Sequence, residues 1–231
     1  MAHHHSEHSR HSNEFHGHNL YGELMCHLPH AVFSVATSLI IASFVTYFSV
    51  GFTNQAIACN GAHMLFHAFH FMHILFASTG TVITFRRFSK NIWKMIAVGT
   101  ICPIVFCALS DIVIPYIAGR LLGVAMDFHI CFYSELINVV PFLCMGIING
   151  FAMSYHTQSH GAYANFSHMS HIFVSSLAAT FYLMSHGFID WYLQIGMVFV
   201  FLVIAVVVPC TLSDIVVPIT VARAGNTHEK H

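Results

Sequence analysis

Two long stretches without a charged residue constrain this chain more than any other feature. No Asp, Glu, Lys or Arg occurs between Glu23 and Arg86, and the stretch from Glu135 to Asp190 is equally free of them. Charged residues make up only 7% of the chain, whereas soluble domains usually contain about 25%. Each stretch can hold two segments of about 20 residues, the length at which an apolar helix crosses a bilayer. The pattern indicates an integral membrane protein.

The apolar segments predict an all-α fold with six transmembrane helices. We place them at residues 28–50, 62–85, 95–118, 128–154, 164–185 and 192–220. The remaining loops and tails leave no room for a soluble catalytic domain, so any chemistry is expected inside the helix bundle. The lipid bilayer is an expected partner and nucleic acid is not.

The basic residues predict how the helices are oriented. Arg86, Arg87, Lys90 and Lys94 crowd the loop between the second and third helices. The positive-inside rule places that loop in the cytoplasm. With six spans, both termini are then also cytoplasmic, and we expect the membrane to be a bacterial inner membrane. Arg120 is the single exception to the charge asymmetry.

One motif occurs twice in the chain. Each copy combines a His-x-x-His pair with Leu-Ser-Asp-Ile-Val-x-Pro on the next helix: His67, His70 and 109–115, then His168, His171 and 212–218. Each copy belongs to a unit of three helices. Because three is odd, the second unit must enter the membrane from the opposite side, which gives the inverted repeat found in many transporters.

The repeat also predicts the organisation of the chain. We expect a His-rich cytoplasmic tail at residues 1–26 and a cytoplasmic C-terminal tail at 223–231. The first three-helix repeat would cover 27–123, and the second would cover 124–222.

Each copy of the motif places an aspartate in apolar sequence. A carboxylate at the bilayer centre costs about 2.5–3.5 kcal/mol, so it should face a partner or water. From the predicted helix directions, His67, His70 and Asp111 should meet near the outer surface. By the same geometry, the second copy should gather near the cytoplasmic surface: His168, His171 and Asp214. The sequence therefore predicts two related sites, one in each leaflet.

Other histidines and one glutamate extend these two groups. Four residues are expected to join the outer group: His63, His73, His129 and Glu135. His63, His67, His70 and His73 follow one face of a helix, at spacings of three and four residues. On the first helix, two residues are expected to join the inner group: His27 and His30.

A proline follows each aspartate by four residues. Pro115 and Pro218 have no N–H to bond the carbonyl of Asp111 or Asp214, so each aspartate can offer a main-chain oxygen as well as its carboxylate. An alternative is that the prolines only end or kink the helices, with the aspartates in the headgroup region.

Imidazole and carboxylate together are the ligands of a divalent transition metal. We expect zinc or iron, and the scattered cysteines argue against a copper(I) site. A histidine-rich tract also runs through residues 3–18, where it could collect metal ions on the cytoplasmic side.

These observations favour a transporter or channel for a divalent transition metal. An intramembrane metalloenzyme is an alternative, although no His-Glu-x-x-His signature occurs. A haem-binding redox protein is another, because histidines from two helices can clasp an iron porphyrin. The segment Gly146-x-x-x-Gly150 is compatible with a homodimer and also with helix packing inside one chain.

Overall fold

The structure, a computed structural model, describes residues 20–52, 55–126, 128, 135–155, 160–188 and 191–227. All regular structure in these residues is helical. Six helical rods follow one another, and the first, second, fourth and fifth are unbroken α-helices: α1 (Leu20–Phe52), α2 (Gln55–Phe88), α4 (Leu136–Tyr155) and α5 (His160–Ser185). The histidine-rich residues 3–18 and His129 lie outside the described residues.

The third and sixth rods each contain a π-helical segment. The α3 rod consists of Ile92–Ala108, the π segment Leu109–Val113 and Ile114–Leu121. The α6 rod follows a 3-10 turn at Trp191–Gln194 and has the same organisation: Ile195–Thr211, the π segment Leu212–Val216 and Val217–Thr227.

Five of the six rods are long and apolar enough to cross a membrane. The exception is α5, which carries many polar side chains. Three of these, His171, Ser175 and Thr180, are almost completely buried inside the bundle. The six predicted helices overlap the observed rods, although α1 and α2 begin earlier, at Leu20 and Gln55, and α4 begins later, at Leu136.

The α2 and α5 helices form the centre of the bundle and run antiparallel. Phe69 stacks on Phe181 with ring centroids 5.7 Å apart, and further along α2 His73 contacts His171 at 4.5 Å. The partners on α5 therefore follow in the opposite order. This arrangement lets one helix from each half of the chain supply side chains to the middle of the bundle.

The first helix of each half packs against the other half. Along α1, His27 contacts the His168 ring and Ser38 bonds Thr180, so α1 runs parallel to α5. The α1 helix also packs on α6, while α4 packs mainly on α2. The largest apolar core includes Val35 of α1 and joins side chains of α1, α2, α3, α5 and α6.

Two glycines allow α4 to approach α2 closely. A Cβ atom on Gly146 would lie 2.6 Å from the Leu75 carbonyl oxygen, and one on Gly150 would lie 2.8 Å from Cβ of Val82. Thr79 donates a hydrogen bond to the Gly146 carbonyl at 3.1 Å. The Gly-x-x-x-Gly segment thus packs two helices of the same chain.

The prolines explain the two π segments. Pro115 and Pro218 cannot donate to a carbonyl four residues earlier, so a regular helix would leave Asp111 and Asp214 with free carbonyls. In each π segment the backbone bonds five residues back, as from Ile114 to the Leu109 carbonyl and from Val217 to the Leu212 carbonyl. π-Bulges are frequent at functional sites, and both motif aspartates lie within one.

Candidate metal centre

Asp111 is completely buried and holds two histidines of α2. His70 and His73 each donate from Nδ1 to Oδ2 of Asp111, at 2.8 and 2.7 Å. The other carboxylate oxygen accepts a bond from the hydroxyl of Ser175 at 3.0 Å. Because Ser175 belongs to α5, this first carboxylate group joins the two halves of the chain.

Asp214 holds two histidines of α5 in a similar way. His171 donates from Nδ1 to Oδ2 of Asp214 at 2.6 Å, and the corresponding distance from His168 is 3.4 Å. The backbone of α2 comes close here, since a Cβ on Gly80 would lie 3.0 Å from the same oxygen. Both aspartates therefore use one oxygen to orient a pair of imidazoles.

These bonds correct the register in which the two motif copies were compared. The sequence comparison paired His67 and His70 with His168 and His171. In the structure, His70 and His73 have the roles of His168 and His171, one helical turn further along α2. The shift arises because four histidines follow one face of α2, and only packing decides which of them reach the carboxylate.

The two predicted sites meet at the centre of the bundle. The rings of His73 and His171 are in contact, and the Sγ atom of Cys210 lies 3.8 Å from Nε2 of His73. The hydroxyls of Ser110 on α3 and Ser175 on α5 are 2.7 Å apart and form a further contact between the two halves of the chain. The two groups are therefore not separate sites, because His73 of α2 and His171 of α5 connect them. Their placement in opposite leaflets stays a prediction.

Sequence reasoning missed Cys210 and Ser175. A signal for the cysteine was present, because Cys107 and Cys210 both stand four residues before the motif aspartate. Extending the repeat towards the N-terminus reveals this Cys-x-Leu-Ser-Asp pattern. A search for closely spaced cysteine pairs does not detect this pattern. No sequence signal identified Ser175, whose counterpart in the corrected register is Ala77.

Histidines at the two ends extend the group. His63 and His67 form a pair on α2, with their Nε2 atoms 3.2 Å apart. At the other end the His27 ring lies 4.2 Å from the His168 ring, as predicted. His30 is exposed and joins none of the hydrogen bonds or ring contacts of the group in the described part of the chain.

Glu135 does not reach Asp111, contrary to prediction. Its carboxylate accepts a bond from the Asn138 side chain, and its carbonyl accepts from the backbone N–H groups of Asn138 and Val139. It therefore lies at the N-terminus of α4. That position suits an acidic side chain, because the helix dipole and the free N–H groups favour negative charge there.

Among the described residues, two sets of side chains could hold a metal ion. One consists of His73, His171 and Cys210, and the other of His168, His171 and Asp214; within each set the ligand atoms lie within 4.8 Å of one another. In the second set Nε2 of both histidines and Oδ1 of Asp214 are buried without a hydrogen-bond partner among the described residues. Buried polar atoms without partners are uncommon and costly, so each of these atoms is available to a ligand that the described residues do not supply.

The aspartates support imidazoles in the way that metal sites commonly do. A histidine that ligates a metal usually donates its other ring N–H to a carboxylate, which sets the tautomer and the orientation of the ring. Asp111 and Asp214 hold Nδ1 of His73 and His171 in this way and leave Nε2 available.

No known family, no curated protein and no solved structure matches this chain. The interpretation of the centre therefore depends on the chemistry of its own side chains. Imidazole, carboxylate and thiol groups buried together can hold a transition-metal ion.

Proposed function

We propose that this chain is a multi-pass membrane protein that binds a divalent transition-metal ion, zinc or iron, and moves it across the bilayer. The group of imidazoles, carboxylates and one thiol inside the bundle supports metal binding. The arrangement of that group along the helices supports movement of the ion.

The outer surface of the bundle supports a membrane location. Large apolar side chains are strongly exposed on several helices, among them Phe33 at 71%, Trp93 at 83% and Ile137 at 86%. Exposed apolar surface of this extent is rare on soluble monomers. As a sixth span, α5 needs little apolar character because the other helices cover it. The basic loop after α2 favours a cytoplasmic location for both termini.

Helix directions support an inverted repeat. The two units of the repeat would be α1–α3 and α4–α6. In this comparison α2 corresponds to α5, which runs antiparallel to it. The π segments Leu109–Val113 and Leu212–Val216 occupy equivalent positions in these units. Transporters built from inverted repeats bind their substrate where the repeats meet, near the middle of the membrane. In this arrangement the contact between His73 and His171 would lie where the two units meet.

One observation carries the proposal: imidazoles form a line whose exposure falls towards its middle and rises again. On α2, His63 is exposed, His67 is half-buried and His73 is buried. On α5, His171 is buried, while the His168 side chain is 20% exposed. Because α2 and α5 are antiparallel, the more exposed histidines lie on opposite sides of the centre.

Such a line suits a mobile ion better than a resident cofactor. A resident metal needs one closed set of ligands, whereas a transported ion needs successive sets that share members. His171 belongs to both candidate sets in the described residues. Haem is disfavoured at the central pair, because His73 and His171 contact each other and leave no room for a porphyrin between them.

Flux measurements in proteoliposomes test the proposal. Radioactive zinc and iron(II) should enter vesicles that contain the parent protein faster than vesicles without it. Asp111→Ala and Asp214→Ala should both slow the flux strongly, because each removes the acceptor that orients two imidazoles. Glu135→Ala is the matched control, since that carboxylate lies at the start of α4, and its flux should equal that of the parent.

Two results would overturn the assignment. The first is flux in both aspartate variants at the parent rate. The second is metal held in fixed stoichiometry through dialysis with no flux, which would favour an intramembrane metalloenzyme, since a carrier must release its ion.

A further inference from the structure

Cys210 brings a thiol to the contact between the two central histidines. Its Sγ atom and one ring nitrogen from each of His73 and His171 all lie within 4.8 Å of one another. All three residues are at most 2% exposed. They come from α6, α2 and α5, so only the folded chain assembles this central triad.

The two imidazoles of the central triad are oriented for ligation. Asp111 holds Nδ1 of His73, and Asp214 holds Nδ1 of His171. Nε2 of His73 is 3.8 Å from the Cys210 sulfur, and Nε2 of His171 is buried without a hydrogen-bond partner among the described residues. Nε2 of His73 and the sulfur thus face each other, one ring nitrogen of His171 lies within 4.8 Å of both, and the carboxylates hold the two rings from the Nδ1 side.

The ligand count of the central triad suits an ion that passes through. Structural zinc sites usually have four protein ligands, whereas sites with three leave one position for an exchangeable ligand. Asp214, on the far side of His171, belongs to the neighbouring set with His168. The two sets are therefore neighbours, with His171 common to both and one set on each side of its ring.

We infer that His73, His171 and Cys210 form a thiolate-containing site that selects a thiophilic ion, with Zn²⁺ preferred over Fe²⁺ and Mn²⁺. The inference deepens the proposed function and rests on it for the ion's route. Thiolates favour zinc and other soft or borderline ions, whereas manganese prefers carboxylate, carbonyl and water oxygens. The thiol loses its proton to water when the Zn–S bond forms, so one proton is released.

Cobalt(II) is a spectroscopic probe for this sulfur ligand. Co²⁺ added to the purified full-length protein should produce a sulfur-to-cobalt charge-transfer band in the near ultraviolet, which Zn²⁺ then abolishes by displacement. Cys210→Ser should remove the band. It should also lower the preference for Zn²⁺ over Mn²⁺ by more than about tenfold, since even the loss of a supporting partner costs 10–100-fold in metal affinity.

Two cysteine variants serve as controls. Cys144→Ser alters an exposed thiol on α4 and should leave the band unchanged. Cys107→Ser alters the equivalent cysteine of the other repeat, which is buried beside His73, and tests whether that thiol supplies the sulfur instead; the band should be retained. A band that survives in Cys210→Ser but disappears in Cys107→Ser would overturn the assignment of the sulfur ligand.

Folding and function are separated by two further measurements. Cys210→Asp supplies an oxygen ligand and should shift the preference towards Mn²⁺ with a monodisperse elution profile retained, which a merely unfolded variant cannot show. Zinc flux without a thiolate band would overturn this inference and leave the proposed function standing. A thiolate band without zinc flux would overturn the proposed function and leave the assignment of the sulfur ligand standing.

Discussion

Ser175 on α5 donates a hydrogen bond to Oδ1 of Asp111 on α3, at 3.0 Å. In the corrected register of the repeat, Ala77 takes the place of Ser175 on α2. The aspartate on that side, Asp214, has no hydrogen-bond partner at Oδ1 among the described residues, and neither has the hydroxyl of Ser213. Oδ1 of Asp111 thus accepts a hydrogen bond from a hydroxyl, whereas Oδ1 of Asp214 is available to a cation.

Replacing the hydroxyl at the first carboxylate should destabilise the protein. Ser175→Ala leaves a buried oxygen of Asp111 without its donor, which costs about 1–3 kcal/mol. We expect a lower melting temperature of the metal-free protein in detergent. An unchanged melting temperature would show that this bond contributes nothing to stability.

Adding a hydroxyl on the opposite side should weaken metal binding. If the corrected register holds, a serine at position 77 stands towards Asp214 as Ser175 stands towards Asp111, one turn before Thr81, which bonds the Ser213 carbonyl. The new hydrogen bond would compete with an ion for Oδ1. Zinc titration should give a lower affinity, with no loss of thermal stability. Parent-like affinity would contradict a role for that oxygen in binding.

Removing the charge of a supporting carboxylate should reduce metal affinity without removing a ligand of the central triad. Asp111→Asn keeps the shape of the side chain but weakens its hold on Nδ1 of His73. A loss of 10–100-fold in affinity is expected, as for other partners of ligating histidines. Competition titration with a chelator measures it, and Glu135→Gln should bind like the parent.

The close approach of α4 to α2 makes Gly146 sensitive to a single methyl group. In Gly146→Ala the new Cβ would lie 2.6 Å from the Leu75 carbonyl oxygen, so the helices must separate. Overpacking of this kind costs about 1–3 kcal/mol. Gly61→Ala is the control, because nothing lies within 4 Å of its Cβ.

Thermal unfolding and gel filtration together report the outcome. The Gly146 variant should melt at a lower temperature, and the Gly61 variant should melt at or above the parent value. A Gly146 variant that keeps its melting temperature and only changes oligomeric state would assign the glycines to a homodimer interface instead.

The paired histidines at the exposed end of α2 should affect the capture of ions more than their tight binding. His67 and His63 lie one and two turns before His70, and their Nε2 atoms are 3.2 Å apart. A double His63→Ala, His67→Ala variant should raise the metal concentration for half-maximal flux. The affinity of the central triad should stay unchanged. His30→Ala provides an exposed control, and a parent-like concentration dependence in the double variant would remove the pair from the route.

Much of the fold could be predicted from the sequence. Charge-free apolar stretches locate helices because a helix satisfies its own backbone, so its position depends on local composition and length. The pairing of the histidine helix with the aspartate helix was also predictable, since Asp111 and Asp214 needed partners inside apolar sequence.

Tertiary structure alone decided which side chains meet. The sequence offered four histidines on one face of α2, and only packing selected His70 and His73. It could not show that His73 would contact His171, because that depends on how closely two distant helices approach. The position of Cys210 at the centre could not be predicted for the same reason. A site made from three helices depends on distances of a few ångströms between them, and hydropathy and motif spacing along one chain contain no such distances.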